Sequence, residues 1–292
     1  MDSKILGIIT ARMRSTRLPG KVLKPLAGKS AFAHHVERLR AVHGVAGVFL
    51  ATSDEPENQP LIEEAERLGV GWHAGAREDV VDRHIRLLEQ EGATAALRVT
   101  CDAPLFCIDT AARLMERCQE HDYLYVGNMI DSQGTTTEVL SLPALVETHR
   151  HYRGPAIAQY IREHREQFRV EAIKMDRDLC RPEYRLSLDW PEDLALLATV
   201  YEQLYRGAPI PLRSVYAWLD DHPELAKQNA HLQTKDVTRY SDVLAHRPLY
   251  GVYRSGEGVV ILDEHYRALT YEEFMTRLRV LRERDGEGAR RS

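Results

Sequence analysis

Residues 5–29 read ILGIITARMRSTRLPGKVLKPLAGK, an apolar run followed at once by a loop of small and basic side chains. Residues 5–9 are almost wholly apolar, the pattern of a strand buried on both faces of a sheet. The loop after them carries Arg12, Arg14, Arg17, the pair Pro19-Gly20, and Lys21. Backbone N–H groups in such a loop can point at phosphate oxygens. Arg12, Arg17 and Lys21 can balance the charge of a triphosphate. Strand-end loops are favoured anion sites; read blandly, the same stretch is a solvated basic turn. It is neither a Walker A loop nor GxGxxG, which disfavours a P-loop kinase or a Rossmann dehydrogenase.

Outward from this loop the pattern alternates. Residues 30–42, SAFAHHVERLRAV, place Phe32, Val36, Leu39 and Val42 at helical spacing behind Ser30 as N-cap. Residues 48–51 predict a strand, 60–68 a helix ending at Gly69, 79–91 a helix and 97–100 a strand. Strand and helix in turn imply βαβ units and a mostly parallel sheet with helices on both faces. Ligands of such sheets bind beyond the carboxyl ends of the strands. The loops after Ile9, Ala51 and Thr100 are therefore where chemistry is expected. Farther on, 123–126, 169–173 and 185–188 read as strands. Residues 142–149, 156–164 and 191–205 read as helices, the last with Pro191 at its first position and Glu192 and Asp193 at its positive end. Beyond about residue 236 the pattern weakens to a hairpin over 250–262 and a helix over 270–284.

Composition narrows the function classes. The chain has 292 residues, 39 Lys+Arg against 44 Asp+Glu, and a net charge of −5, which argues against a nucleic-acid coat. With 43% apolar residues it can build a real core, yet no apolar run approaches the roughly 20 residues that span a bilayer. The first ten residues hold an apolar stretch too short for a signal-peptide core, so a cytoplasmic location is expected. Cys101, Cys107, Cys118 and Cys180 show no CxxC spacing, and reduced thiols are expected.

Five segments carry a resemblance. They are ITARMRSTRLPGKVLKPLAGK (9–29), LATSDEPENQPLIEEAERLGV (50–70), GAREDVVDRHIRLLEQ (75–90), ALRVTCDAPLF (96–106) and RLSLDWPEDLALL (185–197). HPELAKQNAHLQTK (222–235) adds an ending of familiar form. In this order and spacing the chain resembles the cytidylyltransferases of the spore-coat polysaccharide and acylneuraminate type. These are relatives of the CMP-sialic acid and CMP-ketodeoxyoctonate synthetases and resemble the sugar-nucleotide pyrophosphorylases in fold.

The resemblance covers about residues 4–235 and implies a nucleotide-diphospho-sugar transferase-like α/β fold over residues 1–235; residues 236–292 lie beyond it and read, from their hairpin and helix pattern, as a small α+β C-terminal extension of unknown role. Residues 130–175 would be the dimerisation and acceptor segment of a homodimer. It also implies transfer of CMP from CTP to a small acidic acceptor, with Mg²⁺ as cofactor and no nucleic-acid or membrane partner. Asp102 and Asp189 would be the metal ligands; taken singly, the first reads as a turn residue and the second as a helix cap. Arg12 and Lys21 would contact the triphosphate, with Ser15, Thr16 and Arg17 close by. Ala11, Thr52 and Arg83 would meet the nucleoside, although Asp82 and Arg83 equally suit a surface pair within a helix.

On the acceptor side the chain departs from its relatives. Where they carry Pro-x-Gly-x-x-x-Glu, this chain has SQGTTTEVL (132–140), keeping Gly134 and Glu138 without the proline. Where they carry Arg-Glu-His, it has RGPAIAQYI (153–161), keeping Arg153 and Tyr160. Glu138, Arg153 and Arg185 are the acceptor-binding candidates, with Arg150, His151 and Arg162 as further cations for a carboxylate, phosphate or phosphonate. A related enzyme using UTP, GTP or ATP, or a non-catalytic nucleotide-binding scaffold, are the competing readings. His149 and His151 lack further ligands for a zinc site, and Cys101 lacks a base to make it a nucleophile.

Overall fold

The computed structural model describes residues 4–126, 133–173, 176–179, 181, 183–232, 251–255, 258–262 and 268–269. The chain divides into two compact units, Met1–Ala230 and His231–Ser292.

In the first unit β1 (Ile5–Thr10) leads through a small antiparallel pair, β2 (Pro25–Leu26) and β3 (Lys29–Ser30), into α1 (Ala31–Arg40). The order continues β4 (Val45–Ser53), α2 (Gln59–Arg67), β5 (Gly71–Gly75), α3 (Val80–Gln90), β6 (Ala95–Thr100) and α4 (Ile108–Arg117). Then come β7 (Tyr123–Val126), β8 (Glu138–Ser141), α5 (Leu142–His151), α6 (Ile157–Glu163) and β9 (Val170–Ile173). The helices α7 (Pro191–Leu204), α8 (Leu212–Asp221) and α9 (Pro223–Ala226) complete it.

The strands form one seven-stranded sheet in the order β5-β4-β1-β6-β8-β7-β9. β5, β4, β1 and β6 run parallel, β8 runs antiparallel to both its neighbours, and β9 is parallel to β7. β1 sits centrally because its side chains serve both faces. Ile5 and Ile9 enter the core shared with α1, α2, α4, α7 and α8, and Leu6 and Ile8 enter the core shared with α3, α5 and α6.

The chain builds outward from β1 through β4 to β5, then returns to the other side of β1 with β6. That reversal is a topological switch point, and it opens a crevice beyond the carboxyl ends of the strands. Thr10 pairs in register with Ala51 on one side and Thr100 on the other, so three strand-end loops start at the same level.

One expected strand is reduced. Residues 185–188 make a single bridge, Arg185 to Gln133, and then hold to the sheet's end by isolated bonds, Leu186 N–H to the Gln133 carbonyl and Leu188 N–H to the Asp102 carbonyl. The segment bonds first to residue 133 and then to residue 102, two separate stretches of chain, so it builds no ladder with one neighbour. In the second unit β10 (Gly251–Ser255) and β11 (Gly258–Leu262) pair antiparallel, as the hairpin pattern predicts, and β12 (Ala268–Leu269) adds to β11. The helix expected over 270–284 lies outside the described residues.

Candidate active site

The basic loop leaves β1 at Thr10 and folds back on itself. Gly20, at φ +66°, donates its N–H to the Met13 carbonyl at 3.0 Å, and the Ser15 hydroxyl accepts from the Leu18 N–H at 3.3 Å. Asn58 ties the loop to the end of β4. It accepts from the Met13 N–H at 2.8 Å and donates to the Ser53 carbonyl and hydroxyl. This curl turns Arg17 and Lys21 toward the loop after β6 and the segment before α7. Arg12, Arg14 and Thr16 are exposed.

Asp189 is the meeting point. Its Oδ1 accepts from Arg17 Nη2 at 2.8 Å and from Lys21 Nζ at 2.9 Å. Its Oδ2 faces Arg185 Nη2 and the Ser187 hydroxyl, both at 3.4 Å. Lys21 Nζ lies also 3.9 Å from Asp102 Oδ2, so one ammonium spans the two carboxylates. The Arg17 guanidinium stacks over the Trp190 ring at 5.1 Å and keeps one buried nitrogen, Nη1, without a partner. Burial alone would raise the Asp189 carboxyl, but Lys21, through its charge and its hydrogen bond, together with Arg17 and Arg185, brings it below the usual carboxylate range.

A backbone contact fixes this arrangement. Gly134, at φ +87°, lies so close to residues 186–187 that a Cβ there would meet the Ser187 N and Cα at 2.5 Å. The Leu188 N–H reaches the Asp102 carbonyl at 2.7 Å, joining the two carboxylate-bearing segments directly. Among the described residues no three acidic, His or Cys side chains cluster as a metal cage. Two hard carboxylates beside a basic loop fit the way Mg²⁺ is usually held, by one or two carboxylates plus substrate phosphates and water.

The nucleoside candidates stand around the ends of β1 and β4. Ala11 is buried, its N–H donating to the Ala51 carbonyl at 3.2 Å. Thr52 is fully buried, and its hydroxyl has no partner. Arg83 is buried in α3 and turns its guanidinium onto the Ala76 and Arg77 carbonyls, which removes the surface-pair reading with Asp82.

The acceptor candidates have separate partners. Glu138 on β8 pairs with Arg98 of β6 and accepts from the Tyr123 hydroxyl at 2.8 Å. Arg153 is exposed, 3.7 Å from Asp79, which also accepts from His149 at 2.8 Å. Arg185 is only 3% exposed and forks onto Asp193, with 2.8 Å from both Nε and Nη2. Sequence reasoning gave Asp193 only a place at the helix's positive end and passed over Asn229 and Asn58. Asp193 offered one usable signal, standing one helical turn after Asp189.

The Cytidylyltransferase family model matches residues 6–217. Over 236 residues the chain is 28% identical to the spore coat polysaccharide biosynthesis protein SpsF of Bacillus subtilis (strain 168), spanning 77% of this chain and 97% of SpsF. A cytidylyltransferase from Leptospira borgpetersenii serovar Hardjo-bovis (strain JB197) matches with a TM-score of 0.72 at 23% identity, over 80% of this chain and 99% of that one. CMP:2-keto-3-deoxy-manno-octonic acid synthetase complexed with CTP matches with a TM-score of 0.53 at 15% identity, over 69% of this chain and 99% of that one. These two structural likenesses concern the fold.

Proposed function

The chain belongs to the cytidylyltransferase family, and we propose that it transfers CMP from CTP to a small anionic acceptor (a sugar acid, phosphate or phosphonate) and releases pyrophosphate. The acceptor oxygen attacks the α-phosphorus in line with the departing pyrophosphate. Such a step asks the protein chiefly for position and charge neutralisation. Arg12, Arg17 and Lys21, with Ser15 and Thr16, receive the triphosphate. Ala11, Thr52 and Arg83 border the nucleoside. Asp102 and Asp189 hold Mg²⁺, which when bound neutralises phosphate charge. Glu138 and Arg153 face the acceptor side. We read the working form as a cytoplasmic homodimer, with residues 130–175 as the dimerisation and acceptor segment. The catalytic domain takes in residues 1–235, and 236–292 is an extension.

One observation carries this reading: Asp189 Oδ1 accepts from both Arg17 and Lys21 while Lys21 reaches Asp102. Cations of the first loop and carboxylates of two distant loops thus converge at the sheet's switch point, where a charged nucleotide would lie.

The test is the mass of the product formed from CTP and a panel of sugar acids, phosphates and phosphonates, with pyrophosphate followed in parallel. A CMP adduct of one anionic acceptor is expected. Pyrophosphate release with UTP, GTP or ATP but not CTP would defeat the base assignment. Thermal shifts with Mg²⁺ and each triphosphate give an independent ranking, since a ligand at a hundredfold excess over Kd stabilises by about 2.7 kcal/mol.

A further inference from the structure

Behind Asp189 stands a second carboxylate that is wholly enclosed. Asp193 is 0% exposed, as is Asn229. Its Oδ2 accepts from the Asp189 N–H at 2.9 Å, the Trp190 N–H at 3.0 Å and Arg185 Nη2 at 2.8 Å. Its Oδ1 accepts from Arg185 Nε at 2.8 Å and Asn229 Nδ2 at 2.9 Å. Asn229 also donates to the Arg185 carbonyl at 3.0 Å. Both of its partners are acceptors, which fixes the amide orientation. Arg185 uses its remaining fork nitrogen, Nη1, on Gln133 Oε1 at 2.6 Å.

An acidic residue at the third position of a helix ordinarily caps the helix from the surface. Asp193 does more than cap. It holds the backbone of Asp189 itself, and through Arg185 it reaches the Asp189 carboxylate. Enclosed as it is, it has no route to substrate. The result is a division of labour on Asp189: Oδ2 faces the brace, while Oδ1 faces the loop cations. A carboxylate whose backbone and one oxygen are already fixed loses less freedom when it takes up a cation.

We propose that Arg185, Asp193 and Asn229 form a positioning brace that sets the cation affinity of Asp189. This rests on the reading of Asp189 as a metal-holding carboxylate. It moves Arg185 from the acceptor side to the back of the metal side.

The experiment uses the full chain with Mn²⁺ as probe. Free Mn²⁺ is read by electron paramagnetic resonance, with CTP present and no acceptor. Arg185→Lys keeps the charge but loses the fork, and Asp193→Asn weakens the charge-assisted bonds. Each should weaken protein-bound Mn²⁺ by about 10–100-fold, and Asn229→Ala by less, while CTP binding in chelator is unchanged. Variants that melt earlier yet bind Mn²⁺ like the parent would show a plain helix cap and overturn the proposal. If Asp193→Asn does not fold, unchanged Mn²⁺ affinity in both Arg185→Lys and Asn229→Ala overturns it equally. The premise is checked apart: if Asp189→Asn keeps parental Mn²⁺ affinity, Asp189 is not the metal carboxylate and the metal reading itself fails.

Discussion

Lys21 and Asp189 stand 168 residues apart in the chain and 2.9 Å apart in space. The loop after the first strand and the segment before α7 share no helix or strand. Only the closure of the sheet brings them together, and the pair is largely buried when it forms, with side-chain exposures of 15% and 9%. Arg17 and Lys21 of that loop are therefore engaged with Asp189. On the proposed function, a triphosphate entering the loop would offer them oxygens of higher charge, and Asp189 would be freed for a divalent cation. One set of charges would then serve two partnerships in turn.

Lys21→Met should remove this exchange. Loss of a preorganised charge-stabilising donor typically costs about 2.7–4 kcal/mol of transition-state stabilisation, so kcat/KM for CTP should fall by two to three orders of magnitude. Nucleotide-free Mn²⁺ binding should strengthen at the same time, because the ammonium no longer competes at Asp102 and Asp189. Pyrophosphate release and Mn²⁺ titration check the two halves. A variant with near-parental turnover would remove Lys21 from the active site.

Gly134→Ala should disturb the site from a distance. The residue needs a positive φ, and its Cβ would meet the Ser187 backbone at 2.5 Å. Backbone cannot rotate aside as a side-chain tip does, so residues 186–189 must shift and carry Asp189 with them. The left-handed conformation and the clash together should cost at least about 2 kcal/mol. Denaturant melts should show that loss, and turnover should fall with it. Parental turnover in a folded variant would mean that the Asp189 segment tolerates displacement.

Much of the fold is legible because burial writes itself into the sequence. β1 is apolar throughout since both its faces are covered, and the helices over 31–40 and 80–90 show their apolar stripes plainly. The edge strand β5, GWHAG, has little burial to encode and leaves no pattern. α4 and α8, not among the expected helices, carry stripes of the same period, with Ala111, Leu114 and Met115 on one and Leu212, Val215, Tyr216 and Leu219 on the other. The two carboxylates and the basic loop were visible through their order along the chain. The brace was not, because pairing Arg185 with Asp193 and Asn229 depends on how α7 and the chain beyond α9 return to the sheet.

Ending the chain after Lys235 should leave a folded unit that still releases pyrophosphate from CTP. Both hydrophobic clusters among the described residues draw on residues 5–226. Ending it after Gln228 should be different, because Asn229 and its bonds to Asp193 and the Arg185 carbonyl go with the tail. Hydrogen bonds to charged groups contribute about 1.5–3 kcal/mol, so the shorter protein should melt earlier and bind Mn²⁺ more weakly. Equal behaviour of the two truncations would separate Asn229 from the site, and an unfolded longer truncation would make the extension part of the fold.

Acid should weaken the protein through two buried histidines. His35 and His84 are fully buried, and burial holds them neutral, at about 4 and about 3 against an ordinary 6.5; for His84 the neighbouring Arg98 charge adds to the effect. Their folded values lie below the unfolded one, so the unfolded chain binds the extra protons. Their contribution is complete above 6.5 and is lost as pH falls from there toward the folded values. Each histidine adds a slope of about 1.4 kcal/mol per pH unit in that window, and the two together about 2.7. Urea unfolding between about pH 7 and about pH 4.5 measures the slope directly. His35→Phe should halve it, whatever the change does to stability at neutral pH, because the substituted ring has no proton to take up. Asp189 adds a later loss. Its carboxyl lies below the ordinary 3.8, so its share of stability persists until pH falls past that value. A flat profile down to about pH 4.5 would show that neither histidine is kept from protonating by the fold.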